Sequence, residues 1–225
     1  MTASITHLVR SRVPAALQAS PVIAVLRASH ADAYAPVVEA LLSGGVRHVE
    51  VTLSTPGTLA AVPALTRRFG ADAAVGVGTI TTVAEARAAA QGSAFLVTPT
   101  TQPEVIAAGL EAGLPVFPGG FTPTELHAGW AAGATAVKVF PASHLGPGYV
   151  ADLRGPFPDI QVVPSGGVTI DGALDWLRAG ACAVSLGGPL LQDVFRGGSL
   201  DALTARAREL VTRIADAGLS ERGSA

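Results

Sequence analysis

Lysine is almost missing from this chain. Of the 15 basic residues in 225, only Lys138 is a lysine and the rest are arginines. Cysteine is as scarce: Cys182 stands alone, which excludes a disulfide within the chain and fits a reducing compartment. Charged residues make up 14% and aromatics 5%, while apolar residues reach 49%. Such a composition excludes a disordered or coiled-coil chain. Mean hydropathy is +0.45. Even so, no uninterrupted apolar run approaches the ~18–20 residues of a membrane-spanning helix. Net charge is −2 and no basic run exists, so neither nucleic acid nor a membrane is expected as a partner. His7, His30, His48, His127 and His144 show no HxH or HExxH spacing, and no acidic cluster accompanies them. No metal and no other cofactor is expected. The first twenty residues carry Arg10 and Arg12 but no apolar core of a secretory signal. Residues 1–19 read as an amphipathic helix, with a transit peptide as the alternative, and the expected location is the cytoplasm.

What the chain does have is a regular series of short apolar runs. They lie at 21–27, 48–53, 73–79, 94–99, 115–119, 136–141, 161–167 and 183–188, with consecutive starts 21 to 27 residues apart. Between them lie Ala- and Leu-rich stretches of helical spacing, most of them ending in Gly and several beginning after Thr, Ser or Asp. Eight strand-then-helix units with near-continuous apolar strands predict a parallel sheet covered on its outer face, closed into a (β/α)8 TIM barrel. A doubly wound open sheet is the alternative. The count of eight, and the lack of a GxGxxG turn after the first run, argue against it. No linker interrupts the series, so residues 1–225 are expected to form a single barrel domain. Residues 1–19 would be its N-terminal helix, and residues 218–225 a flexible tail.

In such a barrel the chemistry sits at the C-terminal ends of the strands. Those ends carry Arg27, Glu50 with Thr52, Thr79, Pro99, Lys138 with Phe140, Ser165-Gly166-Gly167 and Gly187-Gly188. Period-2 alternation puts His48, Glu50 and Thr52 on one face of their strand and Lys138 with Phe140 on one face of theirs. Charges facing the helix layer would be buried among apolar side chains, so Glu50 and Lys138 should face the mouth.

A solubilising charge makes little sense within AVKVFP, where the only lysine sits. A free amine of pKa ~10.4 is neutral in about one molecule in 2,500 at pH 7. Burial favours the neutral form, which can attack a ketone to give an imine, an electron sink for a carbanion on the next carbon. Glu50 is the candidate proton shuttle. The alternative for both is an ion pair with no chemistry. Arg27 offers a planar fork for a carboxylate, or else a rim salt bridge. Thr79 offers a hydroxyl to the same carboxylate, or else caps a helix. Gly166-Gly167 and Gly187-Gly188 close the seventh and eighth runs, where barrels often bind phosphate; tight turns are the alternative. His48 and Cys182 read as core residues, and Trp130 and Trp176 as helix packing.

These residues carry a resemblance. SGGVRHVEVTL, VGVGTI, FLVTP, VFPGGFTPTEL, the long run from AVKVFPASHLGPGYV to QVVPSGGV, and SLGGPLL are similar to the 2-keto-3-deoxy-6-phosphogluconate (KDPG) aldolase family. That family includes 4-hydroxy-2-oxoglutarate (KHG) aldolases and the aldolase acting on the galactonate epimer. The similarity runs from about residue 21 to 191. It implies a class I, metal-independent carbon–carbon lyase that gives pyruvate and glyceraldehyde 3-phosphate. Lys138 matches the Schiff-base lysine and Glu50 the acid/base glutamate. Arg27 and Thr79 match positions beside the pyruvate carboxylate; Thr52, Pro99 and Phe140 are placed around the pocket by their positions at the strand ends. Ser165, Gly166 and Gly167 match the phosphate loop, and Gly187 and Gly188 its companion. A cytoplasmic homotrimer acting on a small 2-keto acid is the implied assembly. Ser54 stands where some members carry a carboxylate-gripping arginine, and Pro189 where some carry a serine after Gly-Gly. Cleavage of 4-hydroxy-2-oxoglutarate to pyruvate and glyoxylate, a non-covalent phosphate-binding isomerase or synthase, and a binding barrel without turnover are the alternatives.

Overall fold

The computed structural model describes residues 10–220. Nine strands follow in chain order: β1 (Val22–Leu26), β2 (His48–Thr52), β3 (Ala74–Gly78), β4 (Leu96–Val97), β5 (Val116–Phe117), β6 (Gly119–Gly120), β7 (Val137–Val139), β8 (Val162–Pro164) and β9 (Val184–Leu186). All their pairings are parallel, in the orders β5-β4-β3-β2-β1-β9 and β6-β7-β8. Pro118 alone separates β5 from β6, and a proline has no N–H for a ladder. Its carbonyl still accepts from the Lys138 N–H at 2.8 Å, so the two pieces are one bent barrel strand. On the other side a bridge between Ser165 and Ser185 joins β8 to β9. The eight expected runs thus curl into a closed parallel barrel, and the open-sheet alternative falls with that closure. Several strands are shorter than their apolar runs: 94–99 yields only Leu96–Val97 because Pro99 and the turn after it leave the ladder.

The helices between strands are α2 (Tyr34–Ser43), α3 (Thr58–Phe69), α4 (Val83–Ala89), α5 (Pro103–Glu111), α6 (Pro123–Ala131), α7 (Tyr149–Arg154) and α8 (Ile170–Arg178). After β9 come the single turn α9 (Gly188–Leu191) and the long α10 (Leu200–Asp216). Local sequence sets their starts. Thr82 and Thr122 cap α4 and α6, and Glu85 and Glu125 reach back to the cap N–H groups. Those backbone bonds hold both carboxyls below the usual carboxylate range. All five residues of β2 are buried, as a strand packed on both faces requires.

The N-terminal segment corrects one expectation. Residues 1–9 lie outside the described residues, and of 10–19 only α1 (Ala15–Ala19) is helical. Pro14 forbids a continuous helix: its ring disfavours helical backbone at Val13. Arg10 instead donates to the Ala134 carbonyl at 3.1 Å and stacks over Trp130. Val13 and Leu17 plug the lower end of the barrel against Ile23, Phe95, Phe117 and Val163. The expected tail, 218–225, is described only in its first three residues. Leu219 is buried, and the part of 218–225 beyond Ser220 lies outside the described residues.

Candidate active site

The strand ends converge on a cavity of about 380 Å³. Lys138, at the centre of β7, points into it and is only 8% exposed. Its Nζ stands 3.9 Å from Oε1 of Glu50, which is 1% exposed on β2. That separation is too long for a hydrogen bond, so the amine is paired in charge without being locked. The Phe140 ring, half open to solvent at the end of the same strand, lies 5.2 Å from Nζ.

Glycine makes room for Glu50. In the parallel register Glu50 lies beside Gly76 and Thr52 beside Gly78. A methyl group at Gly78 would overlap the Glu50 carboxylate, and one at Gly76 would overlap the Phe95 ring. The VGVG run therefore shapes the barrel interior as well as the strand. Below Glu50, His48 is 3% exposed, its Nδ1 has no partner, and burial lowers its pKa to about 4.

Arg27, Thr79 and Pro99 follow β1, β3 and β4 and line the same cavity. Arg27 makes no ion pair or side-chain hydrogen bond among the described residues, so its guanidinium is free to face a ligand. Thr79 holds φ +62 in the left-handed region, a strained conformation for a β-branched residue. Ser165, Gly166, Gly167, Gly187 and Gly188 complete the wall. Gly166 and Gly167 are both left-handed, at φ +83 and +77. The Ser165 and Gly166 carbonyls accept from Ala142 and Ser143 at 2.7 and 2.9 Å. In a trans peptide the N–H opposes the C=O, so the Gly166 and Gly167 N–H groups face away from that loop. Among the described residues no carbonyl accepts from the N–H of Gly166, Gly167, Gly187 or Gly188. The Ser165 hydroxyl is engaged with Ser185 at 3.2 Å.

Thr52 is the exception among the sequence-predicted site residues. It is fully buried and does not line the cavity; its hydroxyl donates to the Leu26 carbonyl at 3.1 Å and accepts from Ser54. Alternation puts Thr52 on the face of Glu50, but the Leu26 carbonyl on β1 offers its hydroxyl an acceptor inside the sheet.

The sequence matches the family described as "Aldolase: KDPG and KHG aldolase" over residues 13–205. The chain belongs to that family. A 2-dehydro-3-deoxy-6-phosphogalactonate aldolase of Escherichia coli strain K12 is 35% identical over 188 residues, 83% of this chain and 90% of that protein. The KHG/KDPG aldolase of the same strain is 33% identical over 85% of this chain and 89% of its own length. Among solved structures, the Legionella pneumophila KDPG aldolase with pyruvate captured as a covalent carbinolamine superposes with a TM-score of 0.79. It is 27% identical, covering 88% of this chain and 98% of that one.

In this KDPG/KHG aldolase the cavity also includes Val25, Leu191, Gln192, Phe195 and Arg196, which sequence reasoning passed over. Four of them lie in the segment between β9 and α10, which has no periodic pattern. Gln192 holds φ +50, so the only two non-glycine residues with positive φ among those described both line the cavity. In a chain that uses arginine for nearly every cation, nothing in the sequence marks Arg196 as special. A second, larger cavity of about 850 Å³ opens among Arg10, Trp130, Arg154 and Cys182 at the plugged end of the barrel. Its lining offers no activated nucleophile: burial pushes the Cys182 thiol up to about 12.

Proposed function

We propose that this aldolase cleaves 2-keto-3-deoxy-6-phosphogluconate, or its galactonate epimer, to pyruvate and glyceraldehyde 3-phosphate through a Schiff base on Lys138. The observation that carries the reading is the placement of the chain's only lysine, buried at the cavity floor 3.9 Å from a buried glutamate.

The chemistry follows from that pair. Lys138 passes its ammonium proton to Glu50 and the free amine adds to the C2 ketone; Glu50 then gives that proton to the carbinolamine hydroxyl, which leaves as water and yields an iminium. Glu50 takes the proton of the C4 hydroxyl, directly or through a water, as the C3–C4 electron pair moves toward the iminium nitrogen. The aldehyde leaves and an enamine remains. Protonation of C3 by the Glu50 carboxyl and hydrolysis of the imine release pyruvate and restore the amine. Arg27 and the Thr79 hydroxyl hold the C1 carboxylate, and the Phe140 ring and Pro99 wall the reacting carbons. The four free N–H groups of Gly166, Gly167, Gly187 and Gly188 receive the phosphate.

A second substrate shares this reading. Pro189 removes a side-chain hydroxyl from the phosphate loop, which favours some cleavage of 4-hydroxy-2-oxoglutarate to pyruvate and glyoxylate by the same steps. The resemblance also carries a cytoplasmic homotrimer with one barrel domain per chain, which light scattering tests.

Incubation with pyruvate and borohydride is expected to leave one reduced pyruvyl group on Lys138. An unchanged intact mass would sink the reading. A Lys138→Arg variant keeps the charge but cannot form an imine; near-normal turnover would favour a non-covalent isomerase or synthase instead.

A further inference from the structure

We infer that Arg196 is the cation that selects a phosphorylated aldol in this site. The inference rests on the aldolase reading above and adds a residue to it. The cavity is lined by three cationic side chains, Arg27, Lys138 and Arg196, against a single acid, Glu50. Glu50 is matched by Lys138. Two guanidiniums therefore remain, and Arg196, like Arg27, makes no ion pair or side-chain hydrogen bond among the described residues. A cavity with two uncompensated cations fits a ligand with two anionic groups.

Barrel order assigns one cation to each group. Going round the mouth, Lys138 on β7 is followed by Gly166-Gly167 after β8, then Gly187-Gly188 and Arg196 after β9, then Arg27 after β1, then Glu50 on β2. Arg27 neighbours the strand of Glu50. Arg196 comes from the same loop as Gly187 and Gly188, in the sector of the free N–H groups.

The loop holds Arg196 in place. Leu190, Leu191 and Val194 are buried beneath it. Arg206 of α10 donates to the Leu190 and Leu191 carbonyls at 3.0 and 3.4 Å. The Arg196 N–H itself donates to the Asp193 carbonyl at 2.7 Å. The backbone is fixed while the guanidinium stays exposed and unpaired, a cation ordered at its root and available at its tip. It takes over the anion-binding work that a hydroxyl at Pro189 would otherwise share, and a guanidinium fork matches a phosphate bidentately.

The test compares wild type with Arg196→Gln and, as a control for net charge, Arg87→Gln on the exposed face of α4. Two readouts are taken. The first is the ratio of kcat/KM for 2-keto-3-deoxy-6-phosphogluconate to that for 4-hydroxy-2-oxoglutarate. The second is the rise in Tm produced by inorganic phosphate, which needs no turnover. In Arg196→Gln the ratio is expected to fall about 10- to 100-fold and the phosphate-induced rise to disappear, with Arg87→Gln keeping both. Arg196→Lys should recover part of each. A phosphate response in Arg196→Gln equal to wild type overturns the inference. Should borohydride fail to trap pyruvate on Lys138, the aldolase reading falls, and the Tm response still decides whether Arg196 binds the anion.

Discussion

The carboxylate of Glu50 occupies the space that a side chain at Gly78 would need. Glu50 leaves β2 sideways, across the neighbouring strand, and comes within 3.9 Å of the amine of Lys138 on the far side of the barrel mouth. Absence of a Cβ on β3 is thus a condition for the approach of Glu50 to Lys138, not a feature of the strand itself. Gly78 does not have a left-handed backbone, so its requirement is purely one of space.

Gly78→Ala therefore isolates the position of Glu50. The methyl group suits the backbone but displaces the carboxylate. The expected result is a drop in kcat of about 10²-fold or more, the usual contribution of a general acid–base group. Overpacking should lower stability by only ~1–3 kcal/mol, leaving a folded protein by circular dichroism. Retained kcat would show that Glu50 has another place to go.

Thr79 stores strain in the cavity wall. At φ +62 a β-branched residue gives up about 1–2 kcal/mol relative to a relaxed backbone. Thr79→Gly is expected to raise stability in urea by up to ~1 kcal/mol while raising KM for the 2-keto acid, because the hydroxyl is lost. A variant that is both less stable and equally active would remove Thr79 from the site.

Much of this was legible in the sequence, for reasons that particular residues make clear. A parallel barrel strand must be apolar on both faces, so Glu50 in HVEVTL and Lys138 in AVKVFP stand out against their neighbours. The strand count followed from the apolar runs even though Pro118 splits one strand in two. Amphipathic spacing alone carries the first helix across Pro14, whereas among the described residues the helix begins only at Ala15. Alternation gives the face of the Thr52 side chain but not its hydrogen-bond partner, the Leu26 carbonyl, which keeps it out of the cavity. Arg196 and Gln192 stayed hidden, since the β9–α10 segment has no period and its geometry comes from tertiary anchors such as Arg206.

His48 makes stability depend on pH. Burial lowers its folded pKa to about 4 from an ordinary 6.5, so the folded state holds it neutral while the unfolded chain takes up a proton below 6.5. Its contribution is fully present above pH 6.5, falls as the pH drops toward about 4, and is flat below that. The loss across this window is about 3 kcal/mol, at ~1.4 kcal/mol per pH unit. His48→Leu should flatten the unfolding free energy between those limits relative to wild type. Parallel curves for the two proteins would mean that the buried imidazole is charged or hydrated in the fold.

Gly166 is where the phosphate assignment is most exposed to test. Its φ of +83 is strained for any other residue, and an added Cβ would sit 3.0 Å from the Phe140 ring and 3.3 Å from Pro141. Gly166→Ala should therefore turn the peptide and withdraw an N–H from the cavity wall, at a stability cost of ~1–3 kcal/mol. Lys138 itself stays on β7, held by its ladder to β8, so the damage should appear as lost discrimination rather than lost imine chemistry. The preference for the phosphorylated aldol over 4-hydroxy-2-oxoglutarate should fall by about tenfold or more, while pyruvate is still trapped on Lys138 by borohydride. Inorganic phosphate should also cease to compete with the phosphorylated substrate. If the wild-type enzyme cleaves both aldols equally well, the free N–H groups at Gly166 and Gly167 serve the turn alone.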